Sequence, residues 1–349
     1  MGGQVRITEA ALELPGGATV RFMRTLRLPE TGTHPLPPGL GAFPLRRVAD
    51  HADTAPAEWR ERGGVLLPVY QREAMWLSFS SPVPVALQVG VGKVCAVSGK
   101  PWSDRLAQDP QNYVVLPRQP WLDGINSGSG TIRQFVAVPL GLGATVEGQV
   151  TGEEVWGGVQ LQVFELREDE LERWHAAQAR RARGGWGHGP GPGGPVPMAP
   201  GGGLTFSSQA AAGSLPPAPA RAAAPAMGLG AGGRMRQEVY RDERPLSDWQ
   251  DEPSGRVFVH LATVPQWREI TGGPAPESPV DRAAYNSAGL PWFDYYDADA
   301  EDLAPAGDLA QVKPVGDWLG DDQQPWAPVQ PGQVKQLGDD PGVVTDGQW

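Results

Sequence analysis

The 349 residues are 40% hydrophobic and 20% charged, enough apolar content for one large domain or two ordinary ones. A single cysteine, Cys95, excludes an internal disulfide and a Cys-based zinc centre, and its place in the apolar run Val91–Val97 predicts a buried thiol. The net charge of −11 is concentrated in residues 291–349, where twelve acids face only Lys313 and Lys335. A chain that reads a phosphate backbone needs a basic footprint, so this balance argues against nucleic-acid binding.

Met1-Gly2-Gly3-Gln4 carries no basic stretch leading into an apolar one, and no run of eighteen apolar residues follows anywhere. We therefore expect a cytoplasmic protein without a membrane span. Residues 1–165 read as short strands bounded by Gly, Pro, Asn or Asp. They are Gln4–Thr8, Ala18–Leu28, Gly64–Val69, Met75–Phe79, Val83–Val97, Tyr113–Leu116, Ile132–Leu140, Ala144–Thr151 and Val159–Phe164. In Val146–Val150 and Val159–Val163 apolar and polar residues alternate, which predicts half-buried antiparallel strands, with Gly157-Gly158 as the hairpin turn between them. Asp53–Arg62 has helical composition after an Asp or Thr cap. The fold class predicted is mainly β, an antiparallel sandwich or jelly roll; a doubly wound fold would need long helices alternating with these strands.

Residues 166–183 read as a surface helix, with acids at its start, arginines at its end and Gly184-Gly185 to stop it. Residues 184–227 are a Gly/Pro/Ala-rich linker whose one charged side chain is Arg221; few large apolar groups are present to offset the entropy of ordering it. Residues 228–320 are expected to form a small mixed α/β region, with a strand at Arg256–Leu261, a helix at Pro265–Thr271 and another from Pro279 to about Ser287. The aromatic run Trp292, Phe293, Tyr295 and Tyr296 calls for burial on the β domain or on a partner chain. Residues 321–349 read as an acidic tail.

Three segments, Pro120–Ile125, Thr131–Ala137 and Val146–Glu153, together with Met227–Met235 and Gly289–Asp294, resemble a bacterial protein family of unassigned function. Some of its members bear the label "integral membrane protein". The likeness covers most of the chain outside the linker and implies no activity, substrate or catalytic residue.

Three motifs have alternative readings. Asp297, Asp299 and Glu301 stand at positions 1, 3 and 5 of a calcium loop with Asp308 at position 12, but Asp302 replaces the turn glycine and Asp308 is shorter than the usual Glu, so an acidic surface turn competes with Ca2+ binding. Gly228–Gly233 suggests a phosphate loop, but Arg234-Met235 stands where Lys-Ser/Thr is needed, and a close backbone approach onto the β domain suits it better. Trp121, Asp123, Arg133 and Glu147 at neighbouring strand ends could bind a sugar, with the two carboxylates as acid and base; against this, Arg133 could pair with a carboxylate and Trp121 pack a turn. The five histidines have no metal-ligand spacing. The leading expectation is a non-enzymatic binding or structural protein whose C-terminal segment mediates self-association or docks a protein partner. A carbohydrate-binding or carbohydrate-active protein is the alternative, and a calcium module the weaker one.

Overall fold

Valine and leucine at every second position decide the architecture, because each strand then presents one continuous apolar face. The computed structural model describes residues 4–8, 10–128, 130–184, 226–278, 303, 306–315, 317 and 342–343. Its strands, in chain order, are β1 (Arg6–Thr8), β2 (Ala11–Glu13), β3 (Thr19–Thr25), β4 (Thr33–His34), β5 (Gly39–Ala42), β6 (Arg46–Arg47), β7 (Val65–Val69), β8 (Ala74–Ser80), β9 (Val85–Val91), β10 (Val94–Cys95), β11 (Val114–Leu116), β12 (Trp121–Leu122), β13 (Gly124–Gly128), β14 (Thr131–Pro139), β15 (Val159–Glu165), β16 (Met227–Arg236), β17 (Gly255–Thr263) and β18 (Gly342–Val343). The helices are α1 (Ala57–Arg62), α2 (Val146–Thr151), α3 (Glu168–Gly184), α4 (Val264–Thr271) and α5 (Gly307–Ala310).

Two ladders make a sandwich. In one, β2, β3, β8, β14 and β16 pair antiparallel in that order. In the other, β11, β9, β15 and β17 pair antiparallel, and β7 adds in parallel to β17. A single pair, Met227 with Leu261, links the two ladders. Their facing residues share one core. Val20, Phe22, Leu77, Phe135 and Leu229 come from the first ladder, and Val65, Leu87, Val89, Leu161, Val163 and Val259 from the second. Each such side chain, fully buried, stabilises the fold by about 1.5–3 kcal/mol.

The expected boundary at residue 228 does not divide the fold. β16 and β17 lie inside the two ladders, so residues 226–263 complete the N-terminal sandwich instead of forming a separate C-terminal region. Gly228–Gly233 is the interior of a strand: a Cβ at Gly233 would lie 2.1 Å from the Pro29 carbonyl oxygen, the close backbone approach the glycines serve. α3 and α4 match their predicted spans, and Thr263 and Gln266 form a reciprocal capping box on α4. The linker's core, residues 185–225, and the helix expected from Pro279 lie outside the described residues.

Two strand expectations are corrected. Val146–Thr151 is a helix: the Thr145 hydroxyl accepts from the Gly148 N–H, and Val146 and Val150 sit four apart on the buried side. Gly157-Gly158 therefore joins a helix to β15, both residues with positive φ, and is no hairpin. β15 is also not half-buried. Gln160 and Gln162 are as buried as the valines beside them, because the segment around Trp102–Asn112 covers that face. Gln88 lies opposite Gln162, and Gly90 opposite Gln160, where the Trp102 ring packs 2.6 Å from the place of a Cβ. The three amides donate to the Arg105 carbonyl, the Gly92 carbonyl and the Asp104 carboxylate.

Candidate functional site

The four residues proposed for a sugar site do not share one environment. Trp121 lies on β12, and Asp123 sits between β12 and β13, where its N–H donates to Gln237 Oε1 at 2.9 Å and its carbonyl accepts from the Phe135 N–H at 3.0 Å. Asp123 is 1% exposed, and neither carboxylate oxygen accepts a hydrogen bond of ordinary geometry. Burial pushes its carboxyl up to about 8, against a small opposing pull from the Trp121 indole. Asp123 is thus a neutral acid below that pH. A shallow cleft beside it, with room for about one water molecule, is lined by Leu36, Gln119, Trp121, Arg236, Glu238 and Tyr240 among others, and the Asp123 side chain is not part of the lining.

Glu147 stands on α2, and its carboxylate accepts from the backbone N–H groups of Lys93, Trp156 and Gly157. Burial raises its pKa, while these three bonds and nearby Arg62 pull the other way. It holds a turn together and is 3% exposed, so a sugar stacked on Trp121 would reach neither carboxylate. Above it Trp156 is gripped between two cations, Lys93 Nζ at 3.8 Å and Arg62 at 4.1 Å from the ring centroid. Arg133, on β14, is 8% exposed and faces Arg234 across the β14–β16 pair. His260 is buried between Trp59 and Phe258, bonds the Gly63 carbonyl, and is pushed down to about 3 by burial, so it is neutral and poorly placed for proton transfer.

The site that spacing could have revealed is the seat of a C-terminal arm. Leu303, Ala306, Leu309, Val312 and Val315 recur every third residue, and the last four are 7%, 0%, 3% and 0% exposed. α5 packs on β13, and Pro314 bridges in parallel to Ala231 of β16. Glycines cut the seat to shape. A Cβ at Gly99 would lie 2.8 Å from Leu309 Cγ, and one at Gly230 2.7 Å from Val315 Cγ2. The Gln149 amide clamps the arm at Lys313, accepting from its N–H at 2.6 Å and donating to its carbonyl at 3.1 Å. The Leu303 N–H reaches the Val239 carbonyl, and Lys100 pairs with Asp308 at 2.8 Å. Further along, Gly342 and Val343 add a strand to β1 opposite Ile7 and Arg6.

Asp308, offered as a calcium ligand, is thus an arm residue paired with Lys100; Asp297, Asp299 and Glu301 lie outside the described residues, as do Trp292, Phe293, Tyr295 and Tyr296. Among the described residues, no group of three His, Cys, Asp or Glu side chains could hold a metal ion, and no helix is long and apolar enough to cross a membrane. Cys95 is buried, and burial raises its thiol pKa.

No family model matches the chain, no curated protein matches it, and no solved structure matches it.

Proposed function

We propose that this is a non-enzymatic binding protein that self-associates by exchanging its C-terminal arm between copies. The observation that carries the reading is the fit of the arm's apolar spine into a seat cut by Gly99 and Gly230. Such a seat is incomplete without Leu309 and Val315, so a copy whose arm is away exposes apolar surface that another arm can cover. Chain length supports exchange as well. Residues 279–302 separate the α4 side of the sandwich from Leu303 and, fully extended, reach at most about 80 Å. That reach serves a neighbouring copy as easily as the same one, and tethering sets a high local concentration for whichever seat is nearer. The strand added to β1 by Gly342–Val343 is a second contact of the same kind, since strand addition needs only backbone groups.

The test mixes two differently tagged versions of the full natural chain at high concentration. Copies that exchange arms are expected to co-purify through both tags and to show a dimeric mass by light scattering, and Leu309→Ala, which removes the arm's central apolar contact, is expected to lower the dimer fraction. A monomeric mass at every concentration with no co-purification, or a dimer undiminished by Leu309→Ala, overturns the reading.

A further inference from the structure

Arg133 presents an unsolved electrostatic problem. The residue is 8% exposed, and its Nε is buried without a hydrogen-bond acceptor. A guanidinium removed from water is tolerated when oxygens replace the lost hydration; left alone it is costly. Its direct cross-strand neighbour makes matters worse, because Arg133 on β14 is paired in register with Arg234 on β16. Like charges placed directly opposite on a sheet repel. Glu30 and Asp317 offset part of this through space, but neither bonds Arg133 directly: Glu30 pairs with Arg27, whose Nη2 lies 2.7 Å from its Oε1, and Asp317 is exposed.

We propose that Arg133 and Arg234 form a binding site for an oxyanion that presents two or more oxygens, a phosphate or a carboxylate. Two guanidinium groups carried by directly paired residues of neighbouring strands offer such a group bidentate donors as well as charge. Arg234 is exposed and opens the site to solvent, while buried Arg133 forms its floor. The site is independent of whether the arm exchanges between copies. The oxyanion has two sources: a free anion, or the acids of this chain that follow Pro314. The parallel bridge of Pro314 to Ala231 sends the arm along β16 toward Arg234, and Asp321 and Asp322 come next in sequence after Asp317.

Thermal unfolding of the full chain in inorganic phosphate, against chloride at matched ionic strength, tests the site and separates the sources. The proteins are the natural sequence, Asp317→Asn/Asp321→Asn/Asp322→Asn, and Arg234→Gln, the last an exposed change that leaves the floor intact. A free-anion site is expected to show a saturable rise of roughly 5 °C at a hundredfold excess over Kd, equal in the natural sequence and the triple variant. If the chain's own acids fill the site, the triple variant melts lower without phosphate and phosphate restores it, while the natural sequence responds little. Either result requires that Arg234→Gln, introduced into the natural sequence and into the triple variant, abolish whichever phosphate response is seen. No phosphate-specific rise in the natural sequence or the triple variant, or a rise that survives Arg234→Gln undiminished, overturns the proposal.

Discussion

Two of the buried carboxylates, Glu147 on α2 and Asp123 beside β12, sit in regions that bond them very differently. Around α2, Glu147 accepts three backbone N–H groups, and neighbouring Glu154 accepts from Gly141, Gly143 and Thr145. Burial pushes Glu154 up, but its hydrogen bonds to Thr145, Gly143 and Gly141 together hold it below the usual carboxylate range. Beside β12, Asp123 is equally hidden and receives no such bonds, so burial wins and its carboxyl rises to about 8. The difference teaches that burial and hydrogen bonding set the charge of an acid together: Glu154, only partly buried, is pulled down by its bonds, while burial still raises the more deeply buried Glu147 against its three N–H groups.

Replacing Asp123 should break the comparison most strongly. Below pH about 4 the folded and unfolded states both hold its proton. Between about 4 and 8 only the folded state does, so stability falls as pH rises through that window and levels off above it. Asp123→Asn is therefore expected to be near neutral at pH 4 and to stabilise by about 4 kcal/mol at pH 7. Urea unfolding at the two pH values checks this; a gain that does not change with pH refutes it.

Glu147→Ala is the mirror experiment. It leaves the N–H groups of Lys93, Trp156 and Gly157 without their acceptor, and should cost about 3 kcal/mol. The sign is opposite to that at Asp123, and denaturant midpoints of both variants at pH 7 make the contrast direct. Leu309→Ala probes the arm seat, which is apolar instead of polar. It should cost about 2–3 kcal/mol, with faster hydrogen exchange at the Leu303 amide that the docked arm protects. The smallest effect is expected for Lys100→Ala. Its partner Asp308 is about half exposed, so the melting temperature should fall by no more than about 2 °C, and less at high salt.

Much of the sandwich was legible from local pattern. Val85, Leu87, Val89 and Val91 alternate with smaller or polar residues, and Val257, Val259 and Leu261 also stand at every second position, so period two picks out the inner face of the second ladder. α3 was legible from its charge gradient and α4 as the short helical segment Pro265–Thr271, while the Thr263 cap emerged only in the structure. α2 was not, because Val146-Glu147-Gly148-Gln149-Val150 satisfies a period of two and a spacing of four equally, and the Thr145 cap together with the Glu147 and Glu154 bonds tips the balance. The candidate site was less legible still. Trp121 and Asp123 were placed next to one another by sequence, but the direction each side chain takes depends on β8, β14 and Gln237 far along the chain. The arm's three-residue apolar spacing was present to be read, yet it matches neither a strand nor an α-helix and has meaning only against a seat.

By itself, then, the order of residues determined that segments such as Val85–Val91 and Val257–Leu261 become strands, that helices form near α3 and α4, and that Cys95 would lie inside, since these follow from periodicity, charge gradients and apolar context within a few residues. Tertiary structure decided that β16 and β17 close the two ladders, that Gln160 and Gln162 are hidden, that Glu147 is bonded while Asp123 is not, and that Arg133 faces Arg234. Each of those outcomes is set by backbone groups brought together from distant parts of the chain, and no local pattern encodes which N–H will point at which oxygen.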